Sequence, residues 1–260
     1  MKGEETMNRN INEIPQNWDF YMCRIENKPG SIRLNLALYD IVPLENYHQR
    51  IQLSVKMQKP TPEGLSSNEE FETLNRIEDL LHERTVSFGA VTAGVVKTDG
   101  ILEIHIYAQD TEGIEKACAD MFKNYFPSYE WKIQIYADDK WDLYFNFLYP
   151  DKYIFQAMQN RKVIYQLEQQ GDNLEKARKI DHWLYFSTVG NITSFTDKVK
   201  ELGFTILSSE KIENSDYPYQ INISREDVPN NINNITWELM DMADSSGGYY
   251  DGWGCVMVKE

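Results

Sequence analysis

Cysteine is scarce in this chain. Cys23, Cys118 and Cys255 are the three among 260 residues, widely spaced and without a Cys-x-x-Cys pair. That excludes a disulfide framework and a cysteine-based zinc site, and suits buried thiols in a reducing compartment. The four histidines (His48, His82, His105, His182) are scattered, with no His-x-x-x-His. Gly-x-Ser-x-Gly and P-loop motifs are also missing, so no metal and no cofactor is expected. No run approaches the roughly 18 apolar residues of a membrane helix. Met1 to Asn10 is polar and lacks an apolar core, so no secretory signal is expected and the expected location is cytoplasmic. The Asn-x-Ser/Thr matches at Asn191, Asn222 and Asn234 therefore carry no weight. A basic stripe is missing too. The net charge is −15, with 15 basic and 24 acidic residues in 1–149 and 11 and 17 in 150–260. An acidity spread over both halves repels a phosphate backbone and suits solubility or a basic protein partner.

What is present is a succession of alternating and helical patterns. Phe20–Ile25 reads as a strand, Pro29-Gly30 as a turn, and Ser31–Asp40 as a second strand with Ile32, Leu34, Leu36 and Leu38 on one side. Ile51–Met57 is a third. Ser67 is placed to cap an amphipathic helix over about 68–83 that carries Phe71, Leu74, Ile77, Leu80 and Leu81. Val86–Lys97 and Ile101–Ala108 pair about Thr98-Asp99-Gly100. A helix from Thr111 follows, then strands Trp131–Ala137 and Trp141–Leu148. Tyr149-Pro150-Asp151 is the candidate boundary. Beyond it come a helix of about 152–170 ended by Gly171, strand Ile180–Phe186, and a helix capped by Thr193 or Ser194. The hairpin Phe204–Ile212/Tyr217–Ser224, a helix of about 232–245 and a final strand complete the chain. The second half spells β-α-β-β-α-β, the ferredoxin-like order, and residues 51–137 spell it as well. The expected fold class is α+β, two ferredoxin-like modules with antiparallel sheets and helices on one face. The expected domains are 12–149 and 150–260.

The final strand is unusual. Gly247-Gly248-Tyr249-Tyr250-Asp251-Gly252-Trp253-Gly254 places four glycines where strands disfavour them, which points to a bulge or a close backbone approach. Ile180-Asp181-His182-Trp183-Leu184-Tyr185-Phe186, the step Glu201-Leu202-Gly203-Phe204, and the closing Tyr250-Asp251-Gly252-Trp253-Gly254 resemble the B-type regulators of ribonuclease E activity. In that family an acid–His pair opens the first strand, Gly-Phe or Gly-Tyr starts the second, and the last motif closes the fold. The resemblance covers roughly 152–258. It implies a non-catalytic protein that binds the endonuclease and inhibits RNA cleavage. Founding members carry a long acidic tail, whereas this sequence stops at Glu260, so inhibition of the same enzyme requires that the tail be dispensable. The first half is similar to an uncharacterised domain family often fused to this regulator, through Pro29-Gly30-Ser31-Ile32-Arg33, Glu69-Glu70-Phe71 and Trp141 to Pro150. That kinship implies no activity.

Two candidate surfaces follow. Asp181, His182, Tyr250, Asp251 and Trp253 are the candidate partner-binding residues. His182 shares a face with Ile180, Leu184 and Phe186, as a core histidine does. Asp181, Trp183 and Tyr185 face the other way, either onto a free side of the sheet or beneath the 152–170 helix. Strict alternation separates Tyr250 from Trp253, and the expectation is Trp253 inward and Tyr250 outward. The alternative is a small-molecule or acid–base site formed by Arg33, Asn35, Glu103, His105 and Tyr107, with Tyr39, Tyr144 and Asn146 nearby, if their strand faces coincide. Otherwise these residues form the solvated face of an antiparallel sheet. Stacking of RNA bases on Tyr217, Tyr219 and Trp253 is disfavoured by the module's charge and by the lack of the basic-aromatic signature. The reading is an acidic, non-enzymatic regulatory protein with a protein partner, an endoribonuclease of the E/G type. Neither a nucleic acid nor a membrane is expected as a direct partner.

Overall fold

The computed structural model describes residues 14–213 and 215–259. The polar start Met1–Asn10 and the expected domain start at residue 12 lie outside them. The chain separates into two compact units between Pro150 and Asp151.

In the first unit the elements are β1 (Trp18–Ile25), β2 (Lys28–Asn35), β3 (Gln49–Lys56), α1 (Phe71–Val86), β4 (Val91–Thr98), β5 (Ile101–Ala108), α2 (Ile114–Tyr125) and β6 (Trp131–Ala137). They build one antiparallel sheet in the order β1-β2-β4-β5-β3-β6. The β3-α1-β4-β5-α2-β6 portion is ferredoxin-like, and the β1–β2 hairpin widens it beyond β4. Alternation along β3 and β5 sends Ile51, Leu53, Val55, Leu102, Ile104 and Ile106 to one face. They pack there with Leu74, Ile77 and Leu81 of α1 and Cys118, Met121 and Phe122 of α2. Asp99 and Gly100 both adopt positive φ, the geometry of a tight primed hairpin.

Two expected strands are not strands. Ser31–Asp40 stops at Asn35, and Leu36–Leu38 is a 3-10 turn. The Asn35 carboxamide accepts from Ala37 N (3.2 Å) and Asn17 N (2.9 Å), so the side chain diverts the backbone from the ladder. Trp141–Leu148 forms a helical turn with π geometry at Tyr144–Leu148. This segment lies across the sheet face opposite the helices. Trp141 stacks on Tyr107 with ring centroids 3.7 Å apart, Tyr144 Oη donates to Asn35 O (2.9 Å), and Leu148 sits against Gly94. Its three fully buried side chains, Trp141, Tyr144 and Leu148, are the ones pressed onto that face. Ser67 does not cap α1, since its hydroxyl has no hydrogen-bond partner.

The second unit contains α3 (Lys152–Gln169), β7 (Arg178–Phe186), α4 (Val189–Glu201), β8 (Thr205–Lys211), β9 (Tyr219–Asp227), α5 (Ile232–Ser245) and β10 (Gly248–Cys255). Its antiparallel sheet runs β10-β7-β9-β8, again the ferredoxin-like order. Asp151 caps α3 by accepting from Tyr153 N and Ile154 N. The cap of α4 is Thr188 rather than Thr193 or Ser194, and Thr193 bonds back to Val189 O inside the helix. Leu184, Phe186, Phe195, Val199, Ile221, Ile223 and Leu239 form the core. Val163, Ile164 and Leu167 of α3 pack around Ile180, Ile232 and Trp253 on the same side of the sheet.

The glycine-rich strand carries the expected bulge. β10 pairs Tyr249 with Tyr185 and Tyr250 with Leu184, then slips, so that Gly252 opposes Trp183 and Trp253 opposes His182. Asp251 is the extra residue. Tyr250 and Trp253 therefore share the helix-covered face, which corrects the expectation that alternation must separate them. Gly254 lies beneath the Trp183 ring on the other face. Gly248 is the glycine the packing demands, because a Cβ there would collide with the Phe186 ring and the Tyr185 carbonyl. Replacing Gly248 with Ala should destabilise the C-terminal unit by about 1–3 kcal/mol, the cost of overpacking. Gly252→Ala, with nothing within 4 Å of its added carbon, should leave the unfolding midpoint nearly unchanged. Equal midpoints for the two variants in chemical denaturation would contradict this packing.

Candidate functional site

The face of the C-terminal sheet that carries no helices holds a row of aromatics. Trp183 and Tyr185 of β7 are half-buried, and Tyr249 of β10 is exposed. Tyr249 stacks on Tyr185 at 5.1 Å and meets Tyr217 edge-on at 5.0 Å, and Gln220 Nε2 donates to Tyr185 Oη. Asp181 shares this face, and Asp251 projects from the bulge into solvent. Two polar atoms on the neighbouring strand β9, Asn222 Oδ1 and Ser224 Oγ, are shut from solvent without a hydrogen-bond partner. Such atoms cost about 1–3 kcal/mol each when left unmade. Trp183 is not covered by α3, because α3 packs on the opposite side.

The helix-covered face takes the rest of the expected set. His182 is fully buried; its Nδ1 shares a hydrogen bond with Tyr250 Oη (2.9 Å), and its ring meets Phe204 edge-on. Its Nε2 has no partner. Burial, with the Arg225 charge second, pushes its pKa down to about 3, and burial raises the Tyr250 phenol. Trp253 is 8% exposed and donates from Nε1 to Asn160 Oδ1 (2.8 Å), a residue that also binds Asn233 and Thr236. Of the five residues expected at a partner surface, Asp181 and Asp251 reach the open face, while His182, Tyr250 and Trp253 support it from within. Of the tyrosines considered for base stacking, Tyr217 reaches solvent and Tyr219 packs on the core. Trp183, Tyr185 and Tyr249 complete the surface; period-two alternation from Asp181 was the signal that placed the first two.

The N-terminal constellation is split by its own sheet. Glu103, His105 and Tyr107 lie on the face opposite the helices, and Arg33, paired through Val95 to Ile104, lies on the helix side. Asn35 is a buried local cap. The Glu103–His105 group is a packed polar network. Arg50 Nη1 reaches His105 Nδ1 (3.4 Å), Gln52 Nε2 donates to Glu103 Oε1 (2.8 Å), and Tyr107 Oη donates to Asp138 Oδ2 (2.6 Å). His105 is 1% exposed and its pKa is lowered to about 3 by burial and by Arg50. A solvated sheet face was the other expectation; here the 138–149 segment lies over much of it.

The helix side of the widened sheet holds a cleft of about 720 Å³. Its floor is a grid of paired residues: Phe20, Arg33 and Val95 in one row, Met22, Ser31 and Lys97 in the next. Phe71, Asn75 and Glu78 of α1 form the wall, and Leu65 and Ser66 close one end. Glu78 is buried and holds two cations, Arg33 through Nη2 and Lys97 at 2.8 Å. Arg33 also sits 5.1 Å over the Trp18 ring. Sequence reasoning missed this cleft; the clue was a second stripe on α1, Phe71-Asn75-Glu78-His82, beside the core stripe. Among the described residues no group of three or more His, Cys, Asp and Glu side chains could hold a metal ion, and no helix is long and apolar enough to cross a membrane.

A family model described as a family of unknown function, DUF695, matches residues 16–149, and one described as regulator of ribonuclease activity B matches residues 157–255. No curated protein matches the chain. Among solved structures, a candidate glycine cleavage system transcriptional repressor is 9% identical over 81% of this chain and 98% of its own, with a TM-score of 0.26. An unknown protein from Galdieria sulphuraria is 9% identical over 81% and 99%, with a TM-score of 0.22. At those scores neither likeness carries an argument.

The buried histidines set a pH dependence. An unfolded histidine titrates near ~6.5, whereas His182 is held neutral down to about 3. Between those values the unfolded state binds the extra proton, so the contribution to stability is full above ~6.5 and is lost as the pH falls toward 3. Stability of the wild-type chain should therefore fall more steeply on acidification below neutrality than that of His182→Gln. The slopes should differ by up to about 1.4 kcal/mol per pH unit. Parallel profiles in denaturant titrations at stepped pH would show that His182 is not held neutral.

Proposed function

We propose that this chain, which belongs to the DUF695 family and carries a regulator of ribonuclease activity B module at residues 157–255, is a non-enzymatic cytosolic regulator. In this reading it binds an endoribonuclease of the E/G type and restrains RNA cleavage. The module match ties the chain to the regulation of ribonuclease activity. The observation that carries the binding mode is the helix-free face of the C-terminal sheet, with Trp183, Tyr185 and Tyr249 in a row and Asp181 on the same face. Tryptophan and tyrosine dominate interface energetics because each buries a large, rigid area. Asp181 and Asp251, in a unit carrying 11 basic and 17 acidic residues, favour a partner segment that offers basic side chains among apolar ones.

Acid–base catalysis finds little support in the geometry. His105 and His182 are buried and neutral, and neither lines the cleft. The N-terminal unit then adds a second, separate binding surface.

Purified full-length chain should form a complex with an E/G-type endoribonuclease and slow its cleavage of a short RNA. Trp183→Ala and Tyr249→Ala should each weaken the complex at least about tenfold, as loss of an interface anchor does, with the unfolding midpoint unchanged. No complex and no effect on cleavage would sink the proposal. Direct, salt-sensitive binding of the RNA by the chain alone would move the reading to nucleic-acid binding.

A further inference from the structure

The cleft of the N-terminal unit has a composition that its fold does not require. Phe20, Met22 and Phe71 are 46%, 55% and 50% exposed, and all three border the same cavity. Three large apolar side chains left open in one concave site mark a place where apolar surface is meant to be covered. Polar groups converge on the same space. Arg33 and Lys97 are both drawn to the single buried carboxylate of Glu78, and Asp79, which also lines the cleft, brings the lining to two cations and two carboxylates. Arg33 has one guanidinium nitrogen on Glu78 and is steadied over the Trp18 ring, so its other N–H groups remain in forked geometry. Ser66 Oγ is closed off from solvent with no hydrogen-bond partner, at the end of the cleft near Phe71. Asp79 lies on the exposed shoulder of α1.

We propose that this cleft binds a small amphipathic carboxylate, an aromatic or branched aliphatic acid. Its carboxylate pairs with Arg33 and Lys97, and its apolar body covers Phe20, Met22 and Phe71. The volume, about 720 Å³, lies within the range of small-molecule pockets, roughly 300–1,000 Å³. Glu78 acts as the positioning residue, since it fixes both cations against the sheet. An anion is favoured over a cation because the buried Glu78 carboxylate already holds both cations, while the Arg33 side chain, 45% exposed, keeps further N–H donors at the cleft. The assignment is independent of the ribonuclease reading, which rests on the other unit.

The probe is 3-phenylpropionate, with its neutral amide as control, titrated into the full-length chain by calorimetry and ligand-observed NMR. The acid should bind saturably and the amide about tenfold more weakly, the loss expected for one charge-assisted pair. Arg33→Gln should remove that preference, and Met22→Ser should weaken acid and amide alike. Met22 is exposed, so Met22→Ser should keep the wild-type unfolding midpoint; Arg33→Gln leaves buried Glu78 to Lys97 alone and should lower the midpoint while the chain stays folded, and neither should affect the ribonuclease assay. Equal binding of acid and amide, binding untouched by Arg33→Gln and Met22→Ser, or no saturable binding of either compound would overturn the assignment.

Discussion

A strand of strict alternation delivers every second side chain to one face. β10 delivers both Tyr250 and Trp253 to the core because its ladder slips by one residue at Asp251. The rest of the C-terminal unit is arranged around that slip. Trp253 reaches α3 and locks onto Asn160, and Tyr250 reaches His182. The opposite face of the same strand is left with Tyr249 and two glycines, so the Trp183 ring can lie flat above Gly254. One inserted residue thus builds the interior and clears the exterior together.

The two units use one topology in opposite ways. Both contain four antiparallel strands in ferredoxin-like order with helices on one face, which the first unit extends to six strands. In the first, the 138–149 segment crosses the second face, and Trp141, Tyr144 and Leu148 turn it into an interior. The face left available is then the flank beside α1, where the β1–β2 hairpin extends past the helix. In the second unit the additional helix, α3, packs beside α5 on the face that is already covered. The second face stays open, and its aromatic row remains available. The face that each unit leaves open follows from where its extra segment lands.

Much of this was legible in the sequence, for physical reasons that differ by element. The switch between period two and period 3.6 marks the β-α-β-β-α-β order twice, and the helix expected at 232–245 is α5, Ile232–Ser245. The Gly-Tyr-Tyr-Asp-Gly-Trp-Gly segment announced a bulge, because glycines in a strand need a reason. Its position at Asp251 was not legible, since a register slip depends on the partner strand. Trp141–Leu148 reads as a strand because it is dense in aromatic and apolar residues, whereas its buried residues, Trp141, Tyr144 and Leu148, follow helical spacing. The cleft was invisible because it requires Phe20 of β1 and Phe71 of α1, far apart in sequence, to face each other. Arg33 and Glu103 looked like companions until the pairing β2-β4-β5 placed them on opposite faces.

The slip in β10 has a counterpart at the far side of the same sheet. β8 is displaced between Ile206 and Ser208, with Leu207 pushed outward. β10 and β8 are the two edges of the sheet. Irregular, twisted edges with interrupted hydrogen-bonding rows make poor templates for strand addition. Both edges are thereby poor sites for edge-to-edge polymerisation or for a visiting chain that would extend the sheet sideways. The broad side offers contact side chain to side chain instead, where sequence identity rather than generic backbone pairing would decide who is accepted.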